Sequence, residues 1–270
     1  MEWCVGFNDK EIYVSFVVFK PMVLVVDDFV EALKQFSFST NNLGCIQNCV
    51  LKSIHGNMII WCGIWTKKLI QNPQLLSETL VSYTLTFLIF LITHLRLLLY
   101  INFLHFVQLQ TMISKTSNMA TLLDLSFFEA YGGESMDGSC VAKFTSKSII
   151  SMISIAAKCG DINDLSYACL AIFKSRFRKI EGVNSGICLK SQNRPTVVSL
   201  HVWNSPFYCY SWILNSDHLN SMLPYLDHFS LCIKYDIYQV VNISDANVPN
   251  FKDLDNDEER GNKCKSFDVK

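Results

Sequence analysis

The predominantly apolar run from Val81 to Val107 constrains the fold of this chain more than any other part of its sequence. The run contains no acidic residue and is long enough to cross a bilayer as a helix. However, His94 and Arg96 lie near its middle, where a charge is costly, and it lacks the Gly and Ala that are common in transmembrane helices. The run therefore predicts either an insertion outside the folded domain or a single membrane anchor over residues 84–107.

The residues on either side of the run favour an insertion. Deleting residues 81–108 joins Leu80 to Leu109 and restores apolar pairs at helical spacing. These pairs are Leu75/Leu76, Leu80/Leu109 and Met112/Ile113. Between Ser82 and Phe106 the chain also lacks Val, Ala, Asp, Glu and Gly, which are the amino acids whose codons begin with G. We therefore interpret residues 81–108 as a translated intron, with the membrane anchor as the alternative.

The composition indicates the class of protein and its compartment. The chain is 50% hydrophobic with a formal net charge of −1, so it can form a sizeable core but has no basic patch for nucleic acid. Its 11 cysteines include no Cys-x-x-Cys pair, and the first residues, Met1 to Glu11, lack the features of a signal peptide. We expect reduced thiols in an intracellular protein, either cytoplasmic or nuclear.

Hydrophobic patterns and turn signals predict an α+β fold, with a mostly antiparallel sheet, covering helices and an apolar insertion at 81–108 outside the core. The predicted helices begin near Asp28, Cys45, Asn72, Met112, Asp161 or Asp164, and Ser216 or Asp217. The main predicted strands are Met58–Trp65, Ser126–Tyr131, Thr196–Trp203, Phe207–Leu214 and Ser230–Ile243. We expect one domain over residues 1–252, with similar halves at 1–158 and 159–252, followed by a disordered tail at 253–270.

Four motifs resemble a plant-specific family of uncharacterised proteins that is known as a domain of unknown function. The motifs are residues 53–61 (SIHGNMIIW), 127–135 (FFEAYGGES), 164–170 (DLSYACL) and 210–215 (YSWILN). The resemblance covers nearly the whole chain except residues 81–108, where the family continues directly from one half of a helix to the next. It implies no activity, and it supports the interpretation of the run as an insertion.

No residue pattern in the sequence specifies a catalytic, cofactor or metal site. A cysteine nucleophile would pair Cys140 or Cys209 with His55, His201 or His228, but such pairs are created by the fold, and buried packing is the simpler interpretation. The histidines and cysteines lack the short spacings of a zinc site. We therefore expect no catalytic residue, no cofactor and no metal.

Loops carry function more often than strands do, so two loops provide the candidate functional surface. They contribute His55 and Asn57 from one turn, and Glu134, Ser135 and Asp137 from another. The leading hypothesis is an intracellular protein-interaction or regulatory module with an unknown protein partner. The alternatives are a hydrolase dependent on cysteine or serine, and a membrane-anchored protein if residues 84–107 are genuine.

Overall fold

A computed structural model of the chain describes residues 2–22, 26–41, 44–67, 78–82, 84, 120–157, 162–215 and 230–245. The strands are β1 (Glu2–Gly6), β2 (Ile12–Pro21), β3 (Cys45–Ser53), β4 (Ile59–Thr66), β5 (Ala120–Ser135), β6 (Val141–Thr145), β7 (Ile149–Ala157), β8 (Val183–Ser191), β9 (Thr196–Trp203) and β10 (Ser230–Asp245). The helices are α1 (Val26–Asn41), α2 (Ile162–Phe177) and α3 (Pro206–Leu214), and residues 78–82 are also helical.

Eight of these strands form a closed antiparallel barrel in the order β10-β3-β4-β2-β5-β8-β9-β7. The expectation of an α+β fold built on a sheet with covering helices is therefore wrong, because the described residues are mostly strand and the sheet closes on itself. Closure pairs every edge strand of the sheet, which leaves no row of unpaired backbone groups. The inward faces pack in the barrel and the outward faces pack against helices, which is why many strands are apolar on both faces.

The barrel consists of two β-α-β-β-α-β units of ferredoxin-like topology. The first unit runs from β2 to β5, with α1 and the helical residues 78–82, and the second runs from β7 to β10, with α2 and α3. Pairing of β5 with β8 and of β10 with β3 joins the two units. The predicted domain limits, 1–252 with halves at 1–158 and 159–252, stay predictions because residues 158–161 and 246–252 lie outside the described part.

Three layers of core follow from this arrangement. The barrel interior is one apolar cluster, and the ribbon of β1 and β6 closes one of its ends by burying Trp3, Val5 and Phe144 in it. On the outside of the first unit, α1 covers a cluster that includes Trp61 and Trp65. On the outside of the second unit, α2 and α3 cover two smaller clusters. The outward face of each unit is therefore a separate place where a cleft can form between sheet and helices.

Three predicted elements differ from the structure: residues 45–53, residues 207–214, and the end of the helix predicted from Met112, whose residues 120–123 belong to β5. Residues 45–53, which were predicted as a helix, form β3, because their alternate side chains fill the barrel and the outer layer. Residues 207–214, which were predicted as a strand from their alternating aromatic residues, form most of α3. Pro206 occupies the first turn of α3, where a missing N–H costs nothing, and Ser205 precedes it.

Of the apolar run, only residues 81, 82 and 84 are described, and they continue the helical residues that begin at 78. Val81 packs against the outer cluster of the first unit and Thr84 is fully buried, so these residues do not extend away from the domain as expected. The rest of the run and the tail at 253–270 lie outside the described residues. Within the described part, no helix combines the length and apolar character needed to cross a membrane. The intron hypothesis stays a prediction, which transcript reads across the locus would check.

Candidate functional site

The two units have the same strand register and share a buried hydrogen bond on their outer faces. In the first unit, Trp65 Nε1 donates to Ser15 Oγ over 2.8 Å. In the second unit, Trp203 Nε1 donates to Ser151 Oγ over 2.9 Å. Each serine lies two residues along its strand from the partner of its tryptophan, so the two pairs occupy equivalent places. The outer faces can therefore be compared position by position.

The comparison shows that the outer faces differ at two adjacent positions. Ser15 lies opposite Gly63, whereas the equivalent Ser151 lies opposite His201. Two residues earlier on the same strands, the first unit has Trp61 and the second has Ser199. In the first unit the Trp61 ring fills the space in front of Gly63, where a Cβ atom would lie 2.6 Å from the ring.

The smaller residue at position 199 leaves a cleft in the second unit, between the sheet and helices α2 and α3. We call it the His201 cleft. It has a volume of about 30 Å³ and is lined by Ile153, Ile155, Cys169, Ile172, Phe173, Arg176, Ile180, Ser199, His201 and Trp212. A cavity of this size holds roughly one water molecule. The His201 cleft is thus nearly filled by its own side chains.

Aromatic rings surround His201 on three sides. Its ring centroid lies 5.2 Å from that of Phe173, 5.4 Å from that of Trp212 and 6.2 Å from that of Trp203. Trp212 also lies 5.3 Å from Trp203 and 6.3 Å from Tyr235, so the aromatic cluster continues to β10. Flat rings at these separations form a surface against which another planar ring can stack.

Thiol and phenol groups in and around the cleft remain protonated at neutral pH. Burial raises the pKa of Cys169 and of Cys188 to about 12, and raises the pKa of Tyr131 well above its usual value. Cys188 Sγ lies 3.6 Å from Ser199 Oγ, at the floor of the cleft. None of these groups is an ionised nucleophile. Among the residues that line the cleft, His201 has the side-chain type that most often serves as a general base.

The structure places the residues predicted from the sequence elsewhere. His55 is exposed, and its Nε2 lies 2.7 Å from the hydroxyl of Tyr210, a residue of α3. The Asn57 side chain donates to the carbonyl of Pro21, which fixes the turn before β4. His55 therefore contacts the helix that covers the His201 cleft but does not line it.

Glu134 and Ser135, which were predicted to lie in a loop, are the last residues of β5, and with Asp137 in the following turn they form a surface ion-pair network. Arg178 Nε donates to Glu134 over 2.7 Å. Asp137 accepts hydrogen bonds from Ser135 and from Lys143 Nζ, which together with the Ser139 hydrogen bonds hold the pKa of its carboxyl well below its usual value. This network explains the sequence of the loop as turn chemistry.

The sequence-based cysteine pairs find no support in the part of the chain that is described. Cys209 is fully buried and burial raises its pKa to about 12, so it stays a protonated thiol. Cys140 is exposed in the loop between β5 and β6, and His228 lies outside the described residues. Nor do the described residues contain a group of three His, Cys, Asp or Glu side chains that could hold a metal ion.

The sequence contained a signal for the His201 cleft that single-residue reasoning missed. Residues 44–65 and 182–203 align without a gap and share their first Gly, a Leu-Lys-Ser triplet and their last Trp. Within this repeat, Trp61 and Gly63 correspond to Ser199 and His201. The alignment alone would have shown that a large ring in the first unit is replaced by a small polar residue and a histidine in the second.

The fold and cleft define a class of protein: a single-chain barrel of two ferredoxin-like units in which one outer face carries an aromatic cleft. A family model described as "Domain of unknown function (DUF7392)" matches residues 126–238, which include every residue that lines the His201 cleft. The predicted resemblance to a domain of unknown function is confirmed over this range, while its restriction to plants stays a prediction. No curated protein sequence matches the chain.

Two solved structures share the fold at low sequence identity. A structure described as an "anthrone oxidase-like protein" is 10% identical, with a TM-score of 0.64 over 91% of this chain and 98% of its own. A candidate monooxygenase from Fusobacterium nucleatum subsp. nucleatum is 9% identical, with a TM-score of 0.53 over 87% of this chain and 94% of its own. At these identities the likeness establishes the fold alone.

Proposed function

We propose that the protein binds a small planar aromatic molecule in the His201 cleft and oxidises it with molecular oxygen. The observation that carries this proposal is the difference between the two outer faces, where Ser199 and His201 replace the Trp61 and Gly63 that fill the first unit. The names of the two similar structures, an oxidase-like protein and a candidate monooxygenase, suggest the reaction class.

The chemistry of the cleft suits a substrate with an acidic C–H bond, such as an anthrone. His201 accepts the proton from that carbon, and the electron pair left on the substrate reduces O₂. In the net reaction the CH₂ group loses two hydrogens and gains one oxygen atom, and the second oxygen atom leaves as water. Phe173 and Trp212 stack on the rings of the substrate, and Arg176 provides a positive charge beside the cleft for the developing oxyanion.

Entry of such a substrate requires Trp212 to move, because the cleft holds only about 30 Å³ as it stands. Trp212 belongs to α3, a short helix that contacts the first unit through the Tyr210–His55 hydrogen bond. The helix is therefore the element whose displacement opens the cleft. Substrate-induced movement of a covering element would also exclude water from the reaction.

The test is binding and turnover of anthrone by the full chain, with oxygen consumption and tryptophan fluorescence as readouts. Ser199→Trp should abolish binding, because it restores the ring that fills the first unit. His201→Gln should retain binding but lose turnover by about a hundredfold, as expected for removal of a general base. Lys10→Gln, at an exposed turn between β1 and β2, is the control and should leave both binding and turnover unchanged. Binding that survives Ser199→Trp, or turnover that survives His201→Gln, would contradict the proposal.

A second candidate function is a protein-interaction module, and a separate observation favours it. Three large apolar side chains on the helices of the second unit are highly exposed: Tyr167 at 73%, Phe207 at 72% and Leu214 at 80%. Exposed apolar groups of this size are common at contact surfaces. Affinity purification with the wild-type chain and with a variant carrying serine at all three positions tests it. Partners that both chains retain equally would argue against this surface.

A further inference from the structure

A second cavity, separate from the His201 cleft, lies inside the ring of strands and is open to solvent where Cys232 and Lys234 are exposed. Its volume is about 290 Å³, near the lower end of the range for small-ligand sites, about 300 Å³. The cavity is lined by Phe16, Val18, Ile60, Asp124, Ser126, Phe128, Met152, Ser154, Ala156, Arg194, Thr196, Val198, Cys232 and Lys234. We call this cavity the lumen.

The lumen exists because the two ends of the barrel are filled differently. At one end, the ribbon of β1 and β6 buries Trp3 and Phe144 in the interior. The cavity is lined in part by small residues, among them Ser154, Ala156 and Thr196. An eight-stranded barrel is just wide enough for ordinary side chains to fill it, so small residues at inward positions leave space.

The surface of the lumen is divided into an apolar part and a polar part. Phe16, Ile60, Phe128 and Val198 belong to the apolar core of the barrel, so the cavity ends on a hydrophobic floor. Polar and charged residues from β5, β10 and the turn before β9 contribute the rest of the lining. A ligand that matches this surface has an apolar body and a polar end.

The charges of the lumen indicate the sign of that polar end. Arg194 and Asp124 form an ion pair of 2.7 Å, and Ser126 Oγ also donates to Asp124 over 3.2 Å. The carboxylate of Asp124 is therefore neutralised within the site. Lys234, in contrast, has no ion pair in the part of the chain that is described, and it leaves the lining with one uncompensated positive charge.

We propose that the lumen binds a small amphipathic monoanion, with its apolar body against the hydrophobic floor and its carboxylate at Lys234. The apolar part of the ligand removes hydrophobic cavity surface from water, which supplies most of the affinity. The ion pair with Lys234 selects carboxylates over neutral molecules of the same shape. This site is independent of the His201 cleft, because it opens inside the barrel and not under the helices.

The first experiment measures the affinity of octanoate and of 1-octanol for the full chain by calorimetry. Lys234→Met should weaken the binding of octanoate by about tenfold, because a charge-assisted hydrogen bond is lost, and should leave the affinity for 1-octanol unchanged. Lys179→Met, at an exposed site after α2, is the matched control and should change neither affinity. Ala156→Phe should abolish both by filling the lumen, and far-UV circular dichroism checks that each variant is folded.

A second measurement locates the ligand by chemical protection. Cys232 lines the lumen and is exposed, whereas Cys140 is exposed in the loop between β5 and β6. Octanoate should slow labelling of Cys232 by N-ethylmaleimide and leave the labelling of Cys140 unchanged. Each of four results would overturn the proposal. Two concern wild-type binding and the lysine variants: the chain does not bind octanoate, or Lys234→Met and Lys179→Met have equal effects. The other two are full binding by Ala156→Phe and equal protection of Cys232 and Cys140.

Discussion

Trp61 and Gly63 should be energetically coupled, because the ring of one occupies the space that a side chain at the other would need. Trp61→Ser removes a fully buried indole and should cost about 3–5 kcal/mol in the free energy of unfolding. Gly63→Ala places a Cβ atom 2.6 Å from that indole and should cost about 1–3 kcal/mol. In the double variant the overlap is gone, so Gly63→Ala should cost only a few tenths of a kcal/mol there. The predicted coupling energy is therefore about 1–3 kcal/mol.

Equilibrium unfolding in urea, followed by circular dichroism, measures the four free energies of this cycle. A matched control combines Gly63→Ala with Trp203→Phe, which lies on the other unit, and these two changes should be additive. A coupling energy below about 0.5 kcal/mol between Trp61 and Gly63 would show that the ring does not exclude a side chain there. The account of how Trp61 fills the place in the first unit that corresponds to the His201 cleft would then fail.

Three further predictions concern stability. Ser151→Ala should lower the free energy of unfolding by about 1–3 kcal/mol, because it leaves the buried Trp203 N–H without its acceptor. A loss below a few tenths of a kcal/mol in urea unfolding would refute this prediction. Gly138→Ala and Gly182→Ala both force alanine to positive φ, but only at Gly182 does the new Cβ atom lie 2.1 Å from a ring of α3. Thermal unfolding should therefore show a larger loss of stability for Gly182→Ala, and equal losses would disprove the contact. Burial raises the pKa of Cys188 from 9.0 to about 12. The stability that comes from keeping this thiol protonated is therefore complete below pH 9 and is lost as pH rises from 9 towards 12. The decline of the unfolding free energy over this range should be shallower in Cys188→Ala.

The sequence predicted the elements whose patterns are local. The strands near Met58–Trp65, Thr196–Trp203 and Ser230–Ile243 were found, as was the helix that begins near Asp161 or Asp164, because each carries its own periodicity and end signals. The prediction of a strand at residues 207–214 was wrong because their aromatic residues alternate as they do in a strand, whereas Pro206 indicated the start of a helix. Where local patterns conflict, packing decides, and packing is not visible in a short window.

Barrel closure and the His201 cleft depend on contacts between distant parts of the chain. The pairings of β5 with β8 and of β10 with β3 join residues far apart in sequence, and no local pattern specifies them. The candidate residues His55 and Asp137 were chosen because they lie in loops, but the cleft is built from strand and helix residues. Only the repeat of residues 44–65 at 182–203 connects sequence to site, and its few identities are hard to recognise without the strand register.

Fusion of the two units in one polypeptide also frees them from symmetry. If separate copies of one unit associated to close such a barrel, closure would depend on protein concentration, and every substitution would appear on both outer faces. Here the seams between β5 and β8 and between β10 and β3 are intramolecular, so dilution cannot open them. Because each half is encoded separately, the first can have Trp61, whose ring fills its outer face, while the second has Ser199 and His201 at the equivalent place. Covalent linkage thus lets the two outer faces of one barrel differ in sequence and in shape.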